Sequence, residues 1–228
     1  MVFENKKVLI FDLDGTLVDS VPDLALAIND MLVSLGREVF SSTLIRTWVG
    51  NGAQTLVKRA LSGKSEINEL LEPELYNKAF SHFLASYKNN ICVETVLYPN
   101  VLEVLQNVHA RGFRLALVTN KPFDFIEPLL IGLNIDNIFE LCLGGDSLPK
   151  KKPDPMPLIH VCKTLGLSPE ECLMIGDSKN DILAAKSADM QSVGVTYGYN
   201  YNEAISVYKP EAIINDMSEL CQLLCENA

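Results

Sequence analysis

Two carboxylates, Asp12 and Asp14, stand one residue apart at the end of the apolar run Val8-Leu9-Ile10-Phe11, followed at once by Gly15 and Thr16. Later in the chain, other polar clusters also end apolar runs. Thr119-Asn120 offers a hydroxyl and a backbone amide where a helix opens, an arrangement suited to a phosphate oxygen. Lys152 is a cation held by the rigid run Pro153-Asp154-Pro155. In Gly176-Asp177-Ser178-Lys179-Asn180-Asp181, two acids lie four apart: Asp177 suits a Mg²⁺ ligand, and Asp181, one turn further on, can hold Lys152 or a metal-bound water. The chemistry these groups share is phosphate-ester cleavage, which needs an in-line nucleophile, neutralised phosphoryl oxygens and a proton for the leaving alkoxide.

For such groups to meet, the runs that carry them must be neighbouring strands. Val8 to Phe11 is apolar without alternation, as in a parallel strand covered on both faces. Asp12 and Asp14 then emerge at its carboxyl end on one side, with Leu13 turned away. Arg114–Val118, Phe139–Leu143 and Cys172–Ile175 read as further buried strands, Ser192–Thr196 and Ala212–Ile214 as the last two, and Ser218 to Glu226 as a closing helix. Helices alternate with these strands, beginning with Val101–Arg111. The pattern predicts an α/β fold: a doubly wound, mostly parallel, Rossmann-like sheet whose polar loops converge on one edge.

Between Ser20 and about Asn90 the pattern is helical instead. Leu24, Ile28, Met31 and Leu35 recur at helical spacing from Pro22 to Leu35, with Gly36 placed to end that helix. Ser41 or Ser42 can cap a short helix through Trp48, and Ala53–Leu61 starts another after Gly50-Asn51-Gly52. Glu66–Tyr87 is helical in pattern with Pro73 a boundary inside it. The expected organisation is core over residues 1–17, a small all-helical insertion over 18–92, and core again over 93–228. Gly50, Asn51 and Gly52 form a turn whose backbone amides could approach a ligand, and Gly15 permits a similar close approach. Arg46, Lys58 or those turn amides could meet the carboxylate of a small acid.

Composition sets the bounds. A formal net charge of −10 argues against nucleic acid or an anionic membrane as partner. It also means that a phosphate can be held only where a metal ion and local cations reverse the field. No apolar run approaches the roughly 18 residues that cross a bilayer, and the first strand starts too early for a secretory signal, so a cytoplasmic protein is expected. The six cysteines include no Cys-x-x-Cys pair and do not cluster with the three histidines, which speaks against zinc; Cys221 and Cys225, four apart on the expected terminal helix, read as small apolar residues.

Asp12-Leu13-Asp14-Gly15-Thr16 resembles the first signature of the haloacid-dehalogenase-type phosphohydrolases, and Thr119, Lys152-Pro153 and Gly176-Asp177 follow in that family's order. The resemblance implies that Asp12 is the nucleophile forming an aspartyl phosphate, that Asp14 is the general acid and base, and that Thr119 and Lys152 position and neutralise the phosphoryl group. It further implies Mg²⁺ held by Asp12, the Asp14 main chain and Asp177, with Asp181 behind them, and a helical cap over the site. Asn120, Gly15 and the Gly50-Asn51-Gly52 turn would contact a small-molecule phosphate ester in a monomer or homodimer.

Within the family the sequence is most similar to the phosphoglycolate phosphatases, through Leu17 to Leu24, Trp48 to Ala53, Val118 to Pro122 and Gly144-Gly145-Asp146. This makes 2-phosphoglycolate the leading substrate, with a broad-specificity sugar-phosphate or nucleotide phosphatase as the alternative. Sugar-phosphate mutases of the family carry a histidine where Leu24 stands, and the dehalogenases lack the second acid and the metal arrangement. A receiver-type signalling domain also uses an acidic pocket and a phospho-aspartate, but length, helical insertion and the acceptor's place on the first strand count against it. One departure is Asp189, where the family usually has glycine.

Overall fold

The computed structural model describes residues 3–224. At its centre lies β1 (Val8–Phe11), buried along its whole length and paired in parallel with β4 (Arg114–Val118) on one side and β6 (Cys172–Gly176) on the other. With β5 (Leu141–Leu143), β7 (Gln191–Val195) and β8 (Ala212–Ile214) the sheet runs in the order β5-β4-β1-β6-β7-β8, every pairing parallel. The order reverses at β1, so the crevice at the carboxyl ends of β1, β4 and β6 is a topological switch point, where such sheets bind ligands.

Alternation along the strands explains the double winding. Leu9 and Phe11, with Leu115, Leu117, Leu173 and Ile175, face a core under α5 (Val101–Ala110) and α6 (Ile126–Gly132). Val8 and Ile10, with Ala116, Val118 and Met174, face the other core under α7 (Met156–Leu165) and α8 (Lys179–Ser187). Each face is apolar, so the strands carry no polar stripe.

After β1 the chain makes a tight turn, with Gly15 N donating to Val18 O at 2.9 Å, and forms β2 (Val18–Asp19), which pairs antiparallel with β3 (Val96–Leu97). This two-residue ribbon, too short to leave a pattern in the sequence, carries the chain out to the helices and back. Between its strands lie α1 (Val21–Ser34), α2 (Ser42–Arg46), α3 (Ala53–Ser62) and α4 (Pro73–Asn89), packed on their own core of Ile28, Met31, Trp48, Val57 and Phe83. Asp23, fully buried near the start of α1, accepts from the main-chain amides of Val93, Glu94 and Thr95 and from the Thr95 hydroxyl. One carboxylate thus ties the outgoing helix to the returning strand.

The helix expected over Glu66–Tyr87 begins only at Pro73, because proline lacks the amide a helix interior needs and suits the first turn. The strand expected from Phe139 starts at Leu141. The expected closing helix is a single 3₁₀ turn, Met217–Glu219, followed by α9 (Leu220–Leu223); its continuation to Glu226, and Cys225 with its spacing to Cys221, lie outside the described residues. No helix among the described residues is long and apolar enough to cross a membrane.

Candidate active site

Asp12 follows β1 directly, its amide bonded to Ile175 O at 3.0 Å. Its carboxylate is buried beside those of Asp177, from the end of β6, and Asp181, from the first turn of α8. One oxygen from each of the three can be chosen so that all lie within 4.8 Å. Among the described residues a single cation enters this cluster: Lys152 Nζ lies 2.6 Å from Asp181 Oδ1, 2.5 Å from Val118 O and 3.0 Å from Asp12 Oδ1. Burial works against the charge of Lys152, but Asp12 and Asp181 hold its proton more tightly than an ordinary lysine does.

The acids respond to the same crowding. Burial pushes the Asp12 carboxyl up to about 7 against the pull of Lys152, and Asp181 adds to the upward shift. Burial, then the neighbouring Asp181 and Asp12, hold Asp177 well above the usual carboxylate range. Although Lys152 is near, Asp12 Oδ1 is buried without a hydrogen bond of good geometry. An orphaned carboxylate oxygen beside a second acid held above its normal range is what a hard divalent cation would relieve, so these residues fit a metal site.

Asp181 has other obligations. Its Oδ1 takes the Lys152 bond and its Oδ2 accepts from the Ser178 amide and hydroxyl at 3.0 and 2.8 Å, closing a capping box. Asp177 keeps its place through Thr16 Oγ1, which donates to its Oδ1 at 3.0 Å, and the Tyr199 amide, which donates to its Oδ2 at 2.7 Å. Gly15, at φ +92°, leaves the space that the Asp177 carboxylate fills; a Cβ there would collide with it. Gly15 is therefore needed to make room for Asp177.

Asp14 points away from the acidic cluster. Lys121 Nζ lies 3.0 and 3.2 Å from its two oxygens, and Ser20 Oγ donates to Oδ1 at 2.6 Å. The side chain of Asp14 therefore faces the pocket that Asp12 and Lys121 also line. Burial disfavours the charge of Lys121, but Asp14 and Tyr87 outweigh it and raise its affinity for its proton. Thr119, at the end of β4, accepts from the Lys121 amide at 3.2 Å, which leaves its hydroxyl proton to donate.

The Gly50-Asn51-Gly52 turn reaches this edge, where Gly50 and Gly52 line the pocket and two of its carbonyls accept from side chains of the main body. Asn120 Nδ2 and Asn180 Nδ2 each donate to Gly50 O at 3.1 Å, and Lys151 Nζ donates to Asn51 O at 2.8 Å. Asn120 also donates to Lys152 O at 3.0 Å, so it joins the helical segment to the lysine loop. The turn and Asn120 are thus contacts between the two parts of the chain. Two of the suggested partners for a carboxylate lie elsewhere as well: Arg46 pairs with Asp19 at 2.7 Å over the Tyr199 ring, and Lys58 lies over Tyr76.

Residues not singled out from the sequence complete the site. Tyr199 OH accepts from the Ser20 amide and donates to Asp19, Tyr197 OH donates to Thr16 O at 3.0 Å, and Tyr201 OH accepts from Asn180. The signal was present in Tyr197-Gly198-Tyr199-Asn200-Tyr201, just past the carboxyl end of β7 and therefore on the edge where the acids emerge.

Two spaces open along this edge. One is a small pocket above Asp12, near 30 Å³; the other is a broad groove of about 1110 Å³ between α3, α4 and the loops after β4 and β5. They share Gly52, Ala53, Asn120, Pro122 and Phe125, so the groove leads to the pocket.

Comparison with known proteins agrees with this architecture. Residues 6–189 match the model of the haloacid dehalogenase-like hydrolases. The chain is 54% identical over 220 residues to a phosphoglycolate phosphatase of Colwellia psychrerythraea, covering 96% of this chain and 97% of that protein. It is 49% identical to the phosphoglycolate phosphatase of Psychrobacter arcticus, with 96% of each covered. A crystal structure of a predicted phosphoglycolate phosphatase from Haemophilus somnus superimposes with a TM-score of 0.90 at 42% identity, covering 96% of this chain and 98% of that one.

Proposed function

The chain belongs to the haloacid dehalogenase-like hydrolases, and from that premise we propose that it is a Mg²⁺-dependent phosphomonoesterase whose substrate is 2-phosphoglycolate. The observation that carries the reading is the position of Asp12: a buried carboxylate with an orphaned oxygen, at the switch point of the sheet, between a buried lysine and a second acid.

Asp12 attacks phosphorus in line, forming an aspartyl phosphate as the ester oxygen departs. Asp14, on the far side of the pocket, gives its proton to that oxygen, so the alcohol leaves neutral. It then takes a proton from the water that hydrolyses the acyl phosphate, returning both acids to their starting states. Thr119 donates its hydroxyl to a phosphoryl oxygen, and Lys152 offsets charge as it moves from Asp12 to the phosphate. Asp12, Asp177 and the Asp14 main-chain carbonyl would hold Mg²⁺, which supplies charge neutralisation on the phosphoryl group. Asp181 keeps Lys152 in place.

Residues 18–92 act as a cap that excludes water during the first step, with the β2–β3 ribbon and Asp23 as the joint. The names of the two relatives support 2-phosphoglycolate in particular.

The test is phosphate release from 2-phosphoglycolate, sugar phosphates, nucleoside monophosphates and pyrophosphate, with Mg²⁺ and with chelator. A lead of about a hundredfold in kcat/KM for 2-phosphoglycolate, roughly 2.7 kcal/mol, is expected. Flat but metal-dependent rates would make the protein a generalist phosphatase. Substantial turnover by a folded, metal-loaded Asp12→Asn variant would overturn the mechanism.

A further inference from the structure

The pocket above Asp12 is walled by Leu24, Val49, Leu56, Phe83 and Phe125, an apolar lining against which a glycolate group would have nothing to bind. Besides Asp12, Asp14, Thr119 and Asn120, two polar groups interrupt it. Lys121, 4% exposed, is the one cation among the described residues that line this pocket. Tyr87, delivered by the last turns of α4, is 1% exposed, and its hydroxyl has no hydrogen-bond partner. The ammonium of Lys121 faces the Tyr87 ring 4.7 Å from its centroid, which places the two groups side by side.

The other cations are committed. Lys152 spends its donors on Val118 O, Asp181 and Asp12, Arg46 is paired with Asp19, and Lys151 holds Asn51 O outside this pocket. Lys121, by contrast, lines the pocket itself, and Asp14 takes one side of an ammonium that has three donors. A buried hydroxyl without a partner costs about 1–3 kcal/mol until something accepts from it. Burial pushes the Tyr87 phenol up to about 12, so it remains a donor at neutral pH.

We propose that Lys121 and Tyr87 together receive the carboxylate of the substrate, which makes them the residues that select phosphate esters of short 2-hydroxy acids over uncharged esters of the same size. The inference rests on the phosphatase reading above and assigns its specificity. A carboxylate has two oxygens to offer: one meets the free side of the ammonium, and the other satisfies the Tyr87 hydroxyl. The lysine then bridges the substrate carboxylate and Asp14, so the residue that recognises the acid also fixes the proton donor against the ester oxygen. A neutral leaving group would strand both the cation and the hydroxyl, and sites built in this way discriminate strongly against analogues that lack the matching group.

The experiment compares kcat/KM for 2-phosphoglycolate and for ethyl phosphate, which lacks only the carboxylate, in Mg²⁺-loaded wild type and in Tyr87→Phe, Lys121→Met and Lys121→Arg. The expected wild-type ratio is a hundredfold or more. In Tyr87→Phe, which keeps the ring and its packing, the ratio falls about tenfold; in Lys121→Met it falls toward one, and Lys121→Arg recovers part of it. Should Lys121→Met fail to fold, Tyr87→Phe and Lys121→Arg still decide the matter. A wild-type preference that survives in Tyr87→Phe and in the folded lysine variants overturns this assignment and leaves the phosphatase reading standing. A wild type that hydrolyses both esters equally removes the carboxylate from the reading altogether, and the assignment falls with it.

Discussion

Lys152 and Asp181 form a fully buried ion pair, Nζ to Oδ1 at 2.6 Å, directly behind the carboxylate of Asp12. Among the described residues the lysine is the one cation set between three acids drawn from the ends of two strands and the start of one helix. Removing it by Lys152→Met leaves buried carboxylates uncompensated, which costs about 3–5 kcal/mol. The expected outcome in chemical denaturation is a fall of that size, with kcat/KM reduced by several orders of magnitude. Adding Asp181→Asn restores much of the stability and none of the activity. A single variant as stable as wild type would show that Lys152 is not neutralising the cluster.

Asp12 and Asp177 tie stability to pH and metal in a definite direction. Both carboxyls hold their protons more tightly in the folded chain than unfolded, Asp12 up to about 7. Such groups stabilise the fold below their unfolded value of about 4, and that contribution is lost as pH rises through the folded value. The protein stripped of metal is therefore expected to melt at progressively lower temperature between pH 5 and 8. Mg²⁺ at a hundred times its Kd would return about 2.7 kcal/mol at the upper end, several degrees of Tm. Asp12→Asn should flatten the metal-free profile and raise Tm at pH 8. A profile in chelator that is level from pH 5 to 8 would mean that the acids titrate normally.

The Gly50-Asn51-Gly52 turn ties the helical segment to the main body, and its glycines are required by space as well as by conformation. Gly52 has φ +84°, and a Cβ there would lie 2.7 Å from Asn120 O and 3.1 Å from Lys151 Nζ. Gly52→Ala is expected to push the turn off the body, lowering kcat/KM tenfold or more and costing about 1–3 kcal/mol of backbone strain, a few degrees of Tm. Lys151→Met, which removes only the bond to Asn51 O, should lower kcat/KM by less. Limited proteolysis near the turn would report the opening: equal cleavage of Gly52→Ala and wild type would argue against a closure role.

Much of this site was legible in the sequence because it is made of strand ends. Val8–Phe11, Leu115–Val118 and Cys172–Gly176 are unbroken apolar runs, and parallel strands bring the residues at their carboxyl ends to one edge. Asp12, Thr119 and Asp177 needed no more than that. The direction of a side chain after the strand ends is set by tertiary partners instead. Nothing near Asp14 announces Lys121, more than a hundred residues away, and Gly50 to Gly52 look equally suited to presenting amides or carbonyls until Asn120 and Asn180 are seen to donate. The task of Asp23 depends on Val93 to Thr95, brought back by the ribbon. Lys121 was visible beside Thr119, but its weight comes from burial, which a single sequence does not disclose.

Asp189, set where glycine is usual in the family, has a clear physical reading. It follows the last residues of α8 with φ +53°, in the left-handed region. Its amide donates to Lys186 O, and the amide of Met190 reaches back to Ala185 O, the paired bonds of a Schellman ending, with Met190 buried beyond the turn. A left-handed conformation costs most L-residues about 1–2 kcal/mol, less for aspartate, and an acid at a helix carboxyl end opposes the helix dipole. Glycine removes both costs but loses more entropy on folding, about 0.5–1 kcal/mol at an ordinary position. The balance predicts that Asp189→Gly stabilises the protein by roughly 0.5 kcal/mol, whereas Asp189→Val, β-branched and far worse in this region, destabilises it by about 1 kcal/mol or more. Urea denaturation at neutral pH separates the two, with kcat/KM unchanged in both because the turn lies outside the acidic edge. If Asp189→Gly were the less stable of the two variants, the left-handed turn would not be what governs this position.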